Sequence, residues 1–129
     1  MRIVHTDLAP RAAGHYSQAV VHDGTVYVSG QLPIDPADPK APPGDAATQA
    51  RQALENVRHI LEAAGSGLDR VLQMTVYVSD ISLWDQVNRV YSEVMGEHRP
   101  ARAVVPTRDL HFGYLVEIQA VAALREEDT

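Results

Sequence analysis

At 129 residues, with 45% hydrophobic and 22% charged residues, the chain is long enough to bury a sizeable core as one domain and lies outside the disordered class. Eleven Lys and Arg against seventeen Asp and Glu leave a formal charge of -6, which speaks against a nucleic-acid binder drawing its affinity from clustered cations. No cysteine occurs, so disulfides, thiolate chemistry and Cys-ligated metals are excluded.

Residues 1–10 hold a brief apolar segment, Ile3-Val4, closed off by Asp7 and Pro10. They lack the apolar run of a signal peptide, and no stretch of the sequence is fit to cross a bilayer, so a cytoplasmic protein with no membrane partner is expected. A first strand is predicted over Tyr16–His22, and Asp23-Gly24 is a strong hairpin signal ahead of a second strand, Thr25–Ser29. Between Leu32 and Gly44 the chain carries Pro33, Pro36, Pro39, Pro42 and Pro43, which rule out a central strand and predict an ordered loop. Asp45 is placed to cap a helix reaching about Ala64, because Ala46, Ala50, Ala53, Leu54, Val57, Ile60, Leu61 and Ala64 recur at helical spacing and Gly65 follows.

Val71–Val78 is rich in β-branched residues and reads as a strand. Asp80 is the expected N-cap of a second helix whose apolar face is Leu83, Trp84, Val87, Val90, Tyr91, Val94 and Met95, ended by Gly96. A strand around Arg102, a loop over Thr107–Gly113 and a strand carrying Glu117 to about Leu124 complete the chain, with Arg125–Thr129 expected as a solvated tail. The order β-β-α-β followed by α-β-β predicts a single α+β sandwich domain over residues 1–129, with both helices on one face of a mixed sheet. In three strands one alternate set is uniformly apolar: Val26 and Val28; Leu72, Met74, Val76 and Val78; Val116, Ile118, Ala120 and Ala122. These should face the helices. The other set mixes Thr25, Tyr27, Ser29, Gln73, Thr75, Tyr77, Glu117 and Gln119 with Leu115 and Val121, a composition that fits a face covered by another copy of the chain.

Arg102 and Glu117 each stand alone as a charge within an apolar strand, where a buried charge is costly unless it is partnered or functional. Two readings follow from the residues alone. They form a structural ion pair tying two strands, or they form a site in which Arg102 presents its planar donor fork to a substrate carboxylate while Glu117 orients or deprotonates a water. Ser29 has no Gly-x-Ser-x-Gly context and is read as a lining residue. Asn88 fits a supporting role better than a substrate contact. The six histidines are scattered without metal-ligand spacing, so no metal site is expected; His15 and His111 adjoin site-forming segments.

Gly14-His15-Tyr16-Ser17-Gln18-Ala19, Val28-Ser29-Gly30-Gln31-Leu32-Pro33, Asn88-Arg89-Val90-Tyr91, and Pro100-Ala101-Arg102 through Val116-Glu117-Ile118 together resemble the motifs of the Rid family, the YjgF-like reactive-intermediate deaminases. The likeness covers essentially the whole chain. It implies a chorismate-mutase-like fold, a homotrimer with sites at subunit junctions, and hydrolysis of small 2-imino acids to 2-keto acids and ammonia without a cofactor. It further implies catalytic roles for Arg102, Glu117 and Tyr16, a pocket wall from Ser29 and Gly30, a contribution from the backbone carbonyl of Val104, and substrate binding at Asn88. His15, Val104, Gln119 and the short link between Tyr91 and Pro100 depart from the best-known deaminase pattern; Val104 changes little, because the implied role there belongs to its backbone carbonyl, and the other three bear on substrate choice. Rivals are a non-catalytic trimer that binds small carboxylates, an RNA-cleaving translation inhibitor, and a deaminase of aminomuconate-type acids.

Overall fold

In the computed structural model, which describes residues 1–125, one six-stranded sheet carries two helices on a single face. The strands are β1 (Arg2–Val4), β2 (Ala19–His22), β3 (Thr25–Gln31), β4 (Val71–Val78), β5 (Ala101–Pro106) and β6 (Val116–Ala123), in the spatial order β1-β2-β3-β6-β4-β5. Every neighbouring pair is antiparallel except β4 and β5, which run parallel. A parallel pair needs a crossover, and helix α2 (Trp84–Met95) supplies it. No helix among the described residues is long and apolar enough to cross a membrane.

The hairpin signal works as its chemistry requires. Asp23 (φ 50°) and Gly24 (φ 76°) both take positive φ, the primed turn whose twist matches the flanking strands of β2 and β3. Helix α1 (Ala46–Ala64) starts where Asp45 accepts a hydrogen bond from the Thr48 amide and stops at Gly65 (φ 92°), whose amide donates to the Leu61 and Glu62 carbonyls. Its predicted apolar residues are all buried against the sheet. Asn56, fully buried in the same helix, donates to the carbonyls of Leu32 and Ile34, both at 3.0 Å. This side chain holds the proline-rich loop in place, since that loop cannot join a ladder of its own.

Four expectations change. Ile3-Val4 belongs to a short strand, β1, paired with β2; Gln18 secures the link by accepting from the Thr6 amide at 2.7 Å and donating to the Thr6 and Pro10 carbonyls. The strand expected from Tyr16 begins only at Ala19, because the β2–β3 ladder ends at the Ala19–Val28 pair and β3 then bulges. Asp80 caps a 3-10 turn, Ile81–Leu83, by accepting from the Ser82 amide, and α2 starts after it. Leu72 faces outward, 52% exposed, while Val71 is buried. The cause is an extra residue in β4: Val71 lies opposite Ala122 and Gln73 opposite Val121, so the bulge flips the alternation at this end of the strand.

Arg125, the first residue of the expected solvated tail, is exposed but tied to the body of the chain. Its guanidinium meets the Asp69 carboxylate at 2.6 and 3.0 Å, holding that carboxyl below its usual range, and its amide donates to the Gly65 carbonyl. Positions 126–129 lie outside the described residues.

Candidate active site

Arg102 sits on β5, the last strand of the sheet order, level with Met74 on β4. Paired residues point to the same face, and Met74 is fully buried on the helix side, so Arg102 also points to the helix side. At the sheet edge there is no further strand to bury it. The guanidinium is exposed, lies 4.8 Å from the Tyr91 ring centroid and 5.7 Å from that of Trp84, and donates through Nη1 to Asn88 Oδ1 at 2.7 Å. Trp84, Asn88 and Tyr91 fall on one face of α2 through their i, i+4 and i, i+3 spacing. Burial pushes the Tyr91 hydroxyl above the ordinary phenol range against the opposing pull of Arg102. A cleft of about 520 Å³ opens here between the end of α2 and the start of β5.

Glu117 lies elsewhere. Its neighbours Val116 and Ile118 are buried on the helix side, so Glu117 points to the opposite face. It is level with Tyr77 on β4, and Tyr77 is level with Val105 on β5, three residues beyond Arg102. Two inter-strand steps and three residue rises separate the Cα atoms of Arg102 and Glu117 by about 14 Å. Arg102 has no carboxylate partner among the described residues, so the structural ion pair is removed. The same geometry keeps the two groups from sharing one small ligand within a single chain.

What surrounds Glu117 is Gly30. Between Val28 and Gln31, β3 holds one residue more than the facing segment of β6, and this bulge brings the Gly30 backbone against the Glu117 carboxylate. A Cβ at Gly30 would collide with Glu117 Oε2 and stand 3.1 Å from its Cδ. Ser29, the other bulge residue, donates its hydroxyl to the Ser17 carbonyl at 2.6 Å, and it lines neither the Arg102 cleft nor the one beside Tyr16. A second cleft, about 330 Å³, is lined by Tyr16 and Gly30 together with His111 and Phe112. Tyr16 is 53% exposed on a tight turn in which its amide donates to the Gly14 carbonyl. His15 is exposed and does not line this cleft.

Val104 packs its side chain partly against the core. Its carbonyl is the informative atom. The Thr107 amide donates to Val78 on β4, so by strand alternation the backbone groups of Val105 and Ala103 also face β4, while those of Val104 and Arg102 face the free edge. Gln119 is occupied, accepting from the Tyr77 hydroxyl at 2.9 Å. Among the described residues no three His, Asp or Glu side chains gather in a way that could hold a metal ion.

The candidate residues thus fall into two separate groups: Arg102, Asn88 and the Arg102–Val104 edge on one side of the sheet, and Glu117, Gly30, Ser29 and Tyr16 on the other. Tyr91 is core, as its helical spacing predicts, but it also forms with Trp84 an aromatic platform beside Arg102 that the apolar stripe alone does not reveal. The signal was present in their i−4 and i+3 spacing from Asn88. Substituting Gly30 with alanine is expected to swing the Glu117 carboxylate aside and, if that carboxylate acts on substrate, to lower turnover by about a hundredfold, with little change in thermal stability because the colliding atoms end a flexible side chain. Steady-state kinetics beside a melting curve checks it.

Residues 6–124 match the family model described as Endoribonuclease L-PSP. A RutC family protein of Pyrococcus horikoshii is 42% identical over 93% of this chain and 95% of its own length. The 2-iminobutanoate/2-iminopropanoate deaminase of Bos taurus is 45% identical over 94% of this chain and 88% of its own. The crystal structure of E. coli TdcF with bound serine superposes with a TM-score of 0.91 at 35% identity, covering 97% of this chain and all of that one. A match spanning nearly the whole chain, on a shared fold and at these identities, means that the chain belongs to the L-PSP family of YjgF-like Rid proteins.

Proposed function

We propose that this chain is a hydrolytic deaminase that converts small 2-imino acids to 2-keto acids and ammonia at sites completed by a neighbouring copy of itself, within a homotrimer. The observation that carries the reading is Arg102. A guanidinium held in place by a neutral amide and an aromatic ring, with no acid group on it among the described residues, keeps its remaining donors for a carboxylate from outside. The bovine relative's name supplies the reaction class, and the serine of TdcF is a small amino acid with the same carboxylate end.

The chemistry asks little of the protein. Arg102 grips the substrate carboxylate, and the outward amide of the β5 edge is available to the same group. Glu117 of the neighbouring copy, with the Val104 carbonyl, orients a water toward the imine carbon. As the water oxygen bonds to that carbon, Glu117 accepts a proton and passes it to the nitrogen. The hydroxyl proton of the resulting aminol then moves to its nitrogen through Glu117 as the C–N bond breaks and the C=O bond forms, releasing ammonia and the keto acid. Tyr16 closes the pocket from the Glu117 side, and Gly30 leaves room for the carboxylate. The second copy is argued from geometry: one chain cannot place Arg102 and Glu117 on one ligand, and the sheet face bearing Glu117, with Tyr27 51% exposed, is covered by no layer of the chain's own described residues.

The test is direct. An amino-acid oxidase acting on 2-aminobutyrate releases the imine, whose decay is followed with and without the protein. Decay accelerates in proportion to added protein if the reading holds; a trimer that only binds carboxylates leaves the spontaneous rate untouched.

A further inference from the structure

We infer that the Arg102 cleft selects 2-imino acids carrying a second carboxylate, and that Arg99 is the residue that selects them; this rests on the deaminase reading of the same site. Arg99 and Arg102 line one cleft of about 520 Å³, several times the volume of a three- or four-carbon acid, and among the described residues no acidic side chain lines it. In a chain of net charge -6, carboxylates are plentiful, yet neither guanidinium has one among the described residues. Glu93, the acid in the last turns of α2, is engaged by Arg51 at 2.7 Å. Two like charges left facing one cavity repel, and an anion between them relieves that repulsion.

Arg102 alone does not serve a dicarboxylate. Its Nη1 is committed to Asn88 and its plane rests by Tyr91, so its free donors suit one carboxylate in one orientation. Arg99 and Arg102 line the same cleft and are three residues apart in the chain, which keeps their Cα atoms at most about 10 Å apart. Both side chains are long enough to converge on two carboxylates separated by one or two methylenes.

Two measurements test this on the intact protein: turnover of imines released by oxidases from glutamate and from 2-aminobutyrate, and calorimetric titration with 2-oxoglutarate and 2-oxobutanoate. Wild type is expected to favour the dicarboxylic member of each pair. Arg99→Gln should lower the dicarboxylic-to-monocarboxylic ratio of kcat/KM by about tenfold to a hundredfold, the loss of one charge-assisted contact, and Arg99→Lys should restore part of it. An unchanged ratio in Arg99→Gln, or a wild-type preference for the monocarboxylic imine, overturns the inference while leaving the deaminase reading intact. If neither imine decays faster than in buffer, the deaminase reading fails, and the titrations decide alone: tighter 2-oxoglutarate binding that Arg99→Gln abolishes supports the selective role, and equal binding overturns it.

Discussion

Arg102→Ala is expected to lower kcat/KM for a 2-imino acid by about a hundredfold to ten-thousandfold, the loss of two charge-assisted hydrogen bonds of about 1.5–3 kcal/mol each. The melting temperature should stay within about 4 °C of wild type, because the side chain is exposed and its contacts with Asn88 and Tyr91 contribute about 1 kcal/mol or less. That separation is the point of the measurement. A guanidinium kept for structure would lower stability and activity together, whereas one kept for a ligand lowers activity alone. Arg102→Lys sharpens it: the charge survives but the planar fork does not, so activity should fall between the two. Wild-type turnover in a folded Arg102→Ala protein would remove the substrate role altogether.

The chain announced its elements more clearly than its site. The α1 stripe, the Asp45 and Gly65 caps and the Asp23-Gly24 turn are local devices, written in consecutive residues, and each is where the sequence places it. The charges in β5 and β6 were equally visible, since a lone Arg or Glu among Val and Ala stands out. Their relation was not. Which way Arg102 points depends on β5 lying parallel to β4 with Met74 beside it, a register set by long-range pairing through α2. The two bulges were hidden for a related reason. An extra residue at Leu72 or at Ser29–Gly30 is defined only against the partner strand, and each reverses an alternation that the sequence alone continues unbroken. Trp84 and Tyr91 sit at core spacing, and only the nearness of the sheet edge turns them from filler into a platform.

The proposed sharing of one site between two copies leads to a result that no single-chain enzyme gives. Arg102→Ala and Glu117→Gln, each inactive by itself, should recover activity when the two proteins are unfolded together and reassembled. In a ring where each site takes Arg102 from one copy and Glu117 from the next, random mixing leaves about one junction in four with both groups native, so about a quarter of wild-type turnover should return whatever the ring size. A double variant carrying both changes in one chain should show no recovery in the same mixture with either single variant's inactive half. Each single change is mild for the fold: Arg102 is exposed, and Glu117 has no hydrogen-bond or ion partner among the described residues to lose. If mixing restored nothing although mass measurement showed mixed assemblies, Arg102 and Glu117 would have to meet within one chain. That would require β5 to leave its register on β4, because about 14 Å and the thickness of the sheet now stand between them.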